Sequence, residues 1–316
     1  MSRVVVGLSG GVDSAVAAQL LQQQGHDVSA VFMKNWDDDD DAGYCPAEAD
    51  LADAREIADR LDIELHTVSF SAEYWNRVFA HFLDECAAGR TPSPDIVCNR
   101  EIKFRAFLDH ATGMGADYIA TGHYARIRRE PFVQLLRAVD ENKDQTYFLH
   151  TLTQQQLARS LFPLGDMHKH EVRALAAQAG FAVHDKKDST GICFIGERRF
   201  SEFLARYLDR RPGEIRTLDN TVIGEHEGVV FYTIGQRQGL GIGGRRETSG
   251  EPWYVADKDI AANILYVVQG SEHPALYRQG LRAGKLHWMG GGMPALPYSC
   301  QPRIRDQQRL QAATIT

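Results

Sequence analysis

The sequence predicts an α/β protein: an N-terminal doubly wound parallel sheet, then a small β-rich central domain, then a partial β-barrel. Three observations predict it. From Val4 to Ala120, β-branched apolar runs alternate with helix-patterned stretches. A glycine-rich turn joins the first run to the first helix, and beyond Pro212 the apolar runs shorten while glycines become dense. The expected boundaries are 1–195, 196–270 and 271–316.

Val4, Val5, Val6 and Leu8 form a short apolar run, which reads as a buried parallel strand. It breaks at Ser9-Gly10-Gly11. Asp13-Ser14 then opens a helix carrying Ala15, Val16, Ala17, Leu20 and Leu21, and Gly25 stops it. Asp27 to Met33 is a second strand. The five consecutive aspartates 37–41 read as a solvated loop, because metal ligands need spaced geometry rather than a crowded tract. Ala47 to Leu61 is helix-patterned and Glu64 to Phe70 is a third strand. Ser71 is expected to cap a helix running to about Ala88. The turn-rich Gly89 to Asp95 precedes a helix expected over Asn99 to His110, and Ala116 to Ala120 is a fourth strand ending at Thr121-Gly122-His123. Gln134 to Val139 continues a hairpin, and helices are expected at Thr153 to Ser160, Lys169 to Gly180 and Glu197 to Leu208. GEIRTL, TVIGE, GVVFYTIG, PWYVADKD and NILYVVQG make the region after Pro212 β-rich. A further all-β module starts near Leu281 and stops at Thr316 without closing strands.

The 316 residues suffice for two or three domains, and 43% hydrophobic with 24% charged residues is a globular composition. There is no apolar run of membrane-span length, and Met-Ser-Arg leads straight into a strand, so a soluble, cytoplasmic protein without membrane contact is expected. With a net charge of -7, an RNA partner would have to meet local basic patches on an acidic body. Five cysteines, at 45, 86, 98, 193 and 300, are odd in number and scattered, which argues against a structural disulfide framework.

A glycine-rich turn between strand and helix leaves backbone N–H groups and the positive helix end facing one spot, which suits phosphate. No Lys-Ser or Lys-Thr follows a second glycine, so this is not a Walker loop, and GLSGGV does not fit the dinucleotide spacing. The turn, Met33, the Pro-Ser-Pro-Asp loop and Gly122-His123 all fall at C-terminal strand ends, where ligands gather in such sheets. Cys98, read as lying just before a helix start beside Arg100, Lys103 and Arg105, has surroundings that favour thiolate, with Asp95 placed for proton transfer; a buried, inert thiol is the alternative. Cys193 lies between Gly191 and Gly196 in a polar stretch, a weak sign of an accessible thiol. His123 is either an active-site or a core histidine. NKDQTYFL and YTIGQRQGLGIGGRR are solvated loops or phosphate and base contacts.

SGGVDS, residues 9–14, resembles the pyrophosphate loop of the ATP-pyrophosphatases, which activate a carbonyl oxygen by adenylation. With it, VFMKNW, TPSPDIVCNREIKF, ATGHYA, KDQTYFL, DSTGICFIGERRF and YTIGQRQGLGIGG resemble the bacterial tRNA-specific 2-thiouridylases of MnmA type, in the family's order from residue 4 to about 305. The resemblance implies a Rossmann-like pyrophosphate-loop ATPase domain and 2-thiolation of the wobble uridine of tRNA. It implies ATP held by Gly7, Leu8, Ser9, Gly10, Gly11, Val12, Asp13, Ser14, Met33 and Gly122, with Mg²⁺ on the phosphates and no metal ligated by the protein alone. Ser93, Pro94 and Asp95 would contact the target base, Asp95 as acid/base. Cys98 would be the nucleophile, and Cys193 would carry a persulfide received from a sulfur-carrier protein, leaving a Cys98–Cys193 disulfide after transfer. His123, Lys143, Asp144, Gln145 and Arg305 would contact tRNA, and a monomer is expected. Asp306 and Gln307 depart from the family's usual Tyr and Arg. Family members also run on for several tens of residues, so an incomplete barrel and a weaker hold on tRNA are expected. Two other readings stand beside this one: an adenylating amide ligase sharing the loop, and a non-catalytic nucleotide- or RNA-binding protein.

Overall fold

The computed structural model describes residues 1–36, 46–188, 200–242, 250–306 and 308–316. The chain divides into two compact units, residues 1–78, 94–197 and 287–316, and residues 79–93 and 198–286.

The first unit is built on strands β1 (Arg3–Gly7), β2 (Asp27–Lys34), β3 (Leu65–Ser69) and β4 (Tyr118–Ala120), a hairpin of β5 (Ala125–Arg128) and β6 (Gln134–Arg137), and the two-residue β7 (Ser160–Leu161). The sheet order is β3-β2-β1-β4-β7, with every pairing parallel. Val4, Val5 and Val6 stand opposite Val28, Ser29 and Ala30 on one side and Tyr118, Ile119 and Ala120 on the other. A strand covered on both faces needs continuous apolar sequence, which is what the β-branched run supplies. Helices α1 (Val12–Gln23), α2 (Pro46–Leu61) and α3 (Ser71–Tyr74) follow the first three strands. Helix α4 (Ala80–Ala87) belongs to the second unit, and α5 (Pro94–Cys98), α6 (Phe107–Gly113), α7 (Gln154–Ala158) and α8 (Lys169–Gln178) belong to the first. Leu8, Val12, Ala15, Val16, Ala30 and Phe32 pack with Ala54, Ile57, Leu164, Val172 and Ala176, while Val4, Val6, Ala18, Leu21, Val28 and Ala120 form a second cluster. Each fully buried Val or Leu contributes roughly 1.5–3 kcal/mol.

Three local expectations are corrected. The helix expected from Asn99 begins at Pro94 and continues as a π-helical segment, Asn99–Ala106, into α6. Proline fits the first helical position, where its missing N–H leaves no bond unmade. Ser71 is the first residue of α3 rather than its cap, a position taken by Phe70. Ser160, expected to end a helix, instead pairs with Ile119 at the sheet edge, and Leu161 beside it pairs with Ala120.

The second unit contains α9 (Phe200–Leu204) and a four-stranded sheet, order β10-β11-β8-β9, of β8 (Gly213–Arg216), β9 (Val222–His226), β10 (Trp253–Asp259) and β11 (Ile264–Gln269). Ile215, Ile223, Val255, Leu265 and Val267 are buried in it. The apolar run at Val229–Phe231 forms a 3-10 turn after Gly228, whose φ is +146°, rather than a strand. Beyond Leu281 the described residues hold one antiparallel pair, β12 (Tyr298–Cys300) with β13 (Ala313–Ile315), which belongs to the first unit. Among the described residues no helix is long and apolar enough to cross a membrane.

Candidate active site

β2 lies on one side of β1 and β4 on the other, so the chain after β1 and the chain after β4 border the crevice where the strand order reverses. Both turns are held there by glycines that no other residue can replace without movement. Gly10 has φ +74°, and a Cβ on it would lie 2.2 Å from the Asp50 carbonyl oxygen of α2. A Cβ on Gly122 would lie 2.8 Å from the Asp13 carbonyl carbon and the Ser14 nitrogen. Gly11 occupies the N-cap of α1 and supplies no side-chain cap, so the first-turn N–H groups stay open to an anion. The Ser14 hydroxyl donates to the Gly11 carbonyl (3.0 Å) and accepts from the Ser9 N–H (3.2 Å), which tightens the turn. Met33 sits at the end of β2 beside Gly7, where an added Cβ would come within 3.1 Å of its methyl group. A backbone cradle with room only for glycine, at a helix N-terminus, fits a nucleotide's phosphates. Among the described residues there is no group of three or more His, Cys, Asp or Glu placed to hold a metal ion.

Around the loop lies an ionic network that reading the sequence missed. Asp13 accepts from the Tyr124 hydroxyl (2.8 Å) and, through both oxygens, from Lys169 at 2.8 Å. Lys169 also pairs with Asp188 at 2.7 Å, and Asp188 takes Lys143 at 2.6 Å and Arg173 at 3.0 Å. Burial alone would raise the Asp188 carboxyl, but hydrogen bonds from Lys143 and Lys169 prevail and hold it at about 2. Burial, then the Asp13 carboxylate, push the Tyr124 phenol up, so it remains a donor. Lys186 donates to the Gly10 carbonyl (3.1 Å), to Asp50 (2.8 Å) and to Asp53. The signals were the HKHEV and HDKKDS runs. Lys169 and Lys186 lie 156 and 176 positions from the loop residues they touch, and only the fold joins them.

The helix that carries Asp95 and Cys98 leans on the same strand ends. A Cβ on Gly7 would lie 3.4 Å from the Phe107 ring, and the Phe104 and His123 rings are 5.8 Å apart. Asp95 and Cys98, three residues apart, share one helical face. Ser93 and Pro94 precede them, Pro94 buried and Ser93 half-buried. Cys98 is fully buried and one turn inside the helix, not ahead of it as expected. Asn99 donates to the Phe148 carbonyl (3.1 Å), which ties this helix to the turn after Gln145. His123 bonds Thr121 Oγ1 through Nδ1 at 2.7 Å. Burial first, and the Lys103 charge second, lower its pKa well below the usual value, so the ring is neutral.

Lys143, Asp144 and Gln145 each make contacts within the protein. Asp144, expected to touch tRNA, has a carboxylate that pairs with Arg137 (3.1 Å) and Arg303 (3.7 Å) and accepts from the Ala138 N–H (3.1 Å). Its side chain is 1% exposed, so it braces the fold instead of meeting a partner. Gln145 accepts from the Tyr124 N–H at 3.0 Å, and Lys143 pairs with Asp188. Arg305 is exposed next to Ile304, whose carbonyl accepts from the Tyr147 hydroxyl at 3.0 Å. Cys193, its expected pairing with Cys98, and the aspartate run 37–41 lie outside the described residues.

Residues 2–197 match the family model described as "tRNA methyl transferase HUP domain", and residues 201–269 match "tRNA methyl transferase PRC-barrel domain". Proteins named tRNA-specific 2-thiouridylase MnmA are 62% identical in Methylococcus capsulatus (99% of this chain, 85% of that protein) and 57% identical in Marinobacter nauticus (100% and 81%). The Proteus mirabilis protein of the same name is 57% identical over 99% of this chain and 86% of its own length. Among solved structures, a 4-thiouridine synthetase–RNA complex with bound ATP overlaps at TM-score 0.39 and 17% identity, across 65% of this chain and 49% of that one, too slight an overlap to inform the chemistry. The glycine cradle at the switch point, the cysteine helix against it and relatives matched along nearly the whole chain agree: the chain belongs to the tRNA-specific 2-thiouridylase MnmA family.

Proposed function

We propose that this chain 2-thiolates the wobble uridine of tRNA in two stages, adenylation of the C2 oxygen and then sulfur transfer through Cys193 and Cys98. The observation that carries the reading is the packing of the Asp95–Cys98 helix onto the strand ends that hold the phosphate loop, through Phe107 at Gly7 and Phe104 at His123. Adenylating chemistry and a thiol then serve one crevice.

ATP supplies the AMP group that turns the C2 oxygen into a leaving group, and Mg²⁺ on its phosphates neutralises charge. The N–H groups of residues 9–14 hold those phosphates, with Met33 and Gly122 flanking the nucleotide. Ser93 and Pro94 seat a base turned out of the anticodon stack, and Asp95 takes the N3 proton as the C2 oxygen attacks. The terminal sulfur of a Cys193 persulfide, loaded by a sulfur-carrier protein, bonds to C2 and AMP departs. The Cys98 thiolate then attacks Cys193 Sγ, breaking the S–S bond and leaving its electron pair on the C2 sulfur. Two thiols are oxidised to a Cys98–Cys193 disulfide as the transferred sulfur is reduced, and an external dithiol resets them. His123, Lys143 and Arg305 line the tRNA approach, with Asp144 and Gln145 supporting them from beneath.

The test is incorporation of labelled sulfur into unfractionated tRNA, with ATP, Mg²⁺ and a sulfur-carrier protein charged with labelled persulfide, by the parent chain and Cys98→Ser. Label in a wobble 2-thiouridine with the parent and none with the variant is expected. Pyrophosphate release without sulfur transfer would confine the reading to its first stage, and release of neither would overturn it.

A further inference from the structure

Resting on the nucleotide reading above, we infer that Lys186 is a positioning residue for ATP, one that orients the Gly10–Gly11 peptide of the phosphate cradle without touching the nucleotide.

The loop needs such a residue. Gly10 takes φ +74°, a conformation open to glycine at no cost, and glycine is equally at ease with its next peptide turned over. The two orientations have opposite consequences. In a trans peptide the C=O of Gly10 and the N–H of Gly11 point in opposite directions. With the carbonyl turned outward, the Gly11 N–H faces the cradle and donates to a phosphate. With the carbonyl turned inward, an oxygen dipole meets the phosphate and repels it. Among the described residues no acceptor stands against the Gly11 N–H, as at the start of any helix, so it is open to a ligand.

Lys186 selects the outward carbonyl. Its ammonium donates to Gly10 O at 3.1 Å, to Asp50 Oδ1 at 2.8 Å and to Asp53 Oδ2. An ammonium has three N–H donors, so three acceptors use it up and none remains for phosphate. That is the difference between a positioning residue and a ligand. Helix α2 completes the arrangement from both sides, since Asp50 supplies a carboxylate to the ammonium and a backbone oxygen against which Gly10 must have no Cβ. Burial works against the charge on Lys186, but the two carboxylates outweigh it and raise its pKa, so the donor stays protonated. Lys169 performs the matching task on Asp13, where its ammonium cancels a carboxylate that would otherwise oppose a polyphosphate at the helix end.

The experiment measures ATP and tRNA dissociation constants and sulfur-transfer kinetics for the parent chain, Lys186→Met and Lys186→Arg. Lys186→Met is expected to weaken ATP binding and raise KM for ATP by about tenfold, the loss of one charge-assisted contact to phosphate. Its kcat at saturating ATP falls by less than threefold and its tRNA affinity does not change. Lys186→Arg, still a cationic donor, restores ATP affinity to within threefold of the parent. Equal ATP binding by the parent and Lys186→Met overturns the inference alone, whereas a parent that binds no ATP overturns the nucleotide reading with it. Should Lys186→Met fail to fold, Asp50→Asn combined with Asp53→Asn decides. Loss of the anchors loosens the peptide and weakens ATP binding by about threefold; tighter binding, as a freed ammonium reaching for phosphate would give, overturns the inference.

Discussion

Two parts of the first unit, the phosphate-loop end and residues 287–316, are ordered by different physics. At the loop, space and charge leave no alternatives: Gly10 and Gly122 lie against backbone atoms, and Lys169 joins Asp13 to Asp188 in a chain of ion pairs. In residues 287–316 the strands are three residues long, Met293, Leu296, Tyr298, Ile304 and Leu310 are exposed, and a Cβ on Gly292 would meet nothing within 4 Å. A few polar contacts attach this segment: Gln154 to the Met289 carbonyl (2.6 Å), His287 with the Leu152 carbonyl (2.9 Å), Tyr147 to the Ile304 carbonyl and Arg303 to Asp144. One part is fixed by exclusion, the other by tethers. Substitutions at the first should be felt, and those at the second should matter only at a tether.

Asp144 is the tether with the most to lose, and the largest effect is expected there. Asp144→Ala removes a carboxylate that is 1% exposed and leaves the Arg137 and Arg303 guanidiniums, 37% and 16% exposed, without it. Removing one partner of a buried ion pair costs about 3–5 kcal/mol. Urea unfolding of the variant checks this; a midpoint equal to the parent's would mean that the two parts are not joined through Asp144. Next comes Gly10→Ala. It places a side chain at φ +74° and 2.2 Å from the Asp50 oxygen, and left-handed strain with overpacking together cost about 2–4 kcal/mol. Gly292→Ala should stay within about 0.5 kcal/mol of the parent. Similar losses for the two alanines would erase the contrast between the regions.

How much of this was legible in the sequence follows the same division. The four main strands and the loop were readable, because burial on both faces demands the local runs at Val4–Val6 and Ala30–Phe32, and a cradle demands glycine. The helix start at Pro94 had a local signal in the proline itself, overlooked because the Thr-Pro-Ser-Pro stretch reads as turn. β7 had almost none: two residues following a capped helix form a strand only because β4 is there to pair with them. The partners of Asp13 and Gly10 had no local signal either. Tyr124 was passed over for its neighbour His123, and Lys169, Lys186 and Asp188 acquire meaning only once the sheet brings distant turns together. Asp144 was expected at the tRNA surface because the family resemblance implied it, and nothing local in NKDQTYFL signals its burial. One of its ion-pair partners, Arg303, lies 159 positions later (303 − 144).

A smaller effect, readable as pH dependence, comes from Asp188. Its carboxyl is held at about 2 against an ordinary 3.8. For a depressed acid the unfolded chain takes up the proton first as pH falls. The stabilisation is therefore complete above about pH 4 and is lost between about pH 4 and 2. About a third of the side chain is open to solvent, so screening reduces the contribution to about 1 kcal/mol. Denaturant midpoints followed from pH 5 to 2.5 should fall less steeply for Asp188→Asn than for the parent. Parallel curves would remove Asp188 from the network's energetics.

The smallest effect is expected from Met293→Ser combined with Ile304→Ser. The side chains are 61% and 55% exposed, so most of their apolar surface already faces water in the folded state. Hydrophobic stabilisation scales with the area removed from water on folding, about 25 cal/mol per Å², and little is removed here. The Ile304 tether runs through its carbonyl, which the substitution keeps. The pair should therefore change unfolding free energy by no more than about 0.5 kcal/mol. A loss of several times that would mean that these side chains are covered in solution and that the segment is held by burial after all. The tether account of residues 287–316 would then give way to one in which both regions are ordered by packing.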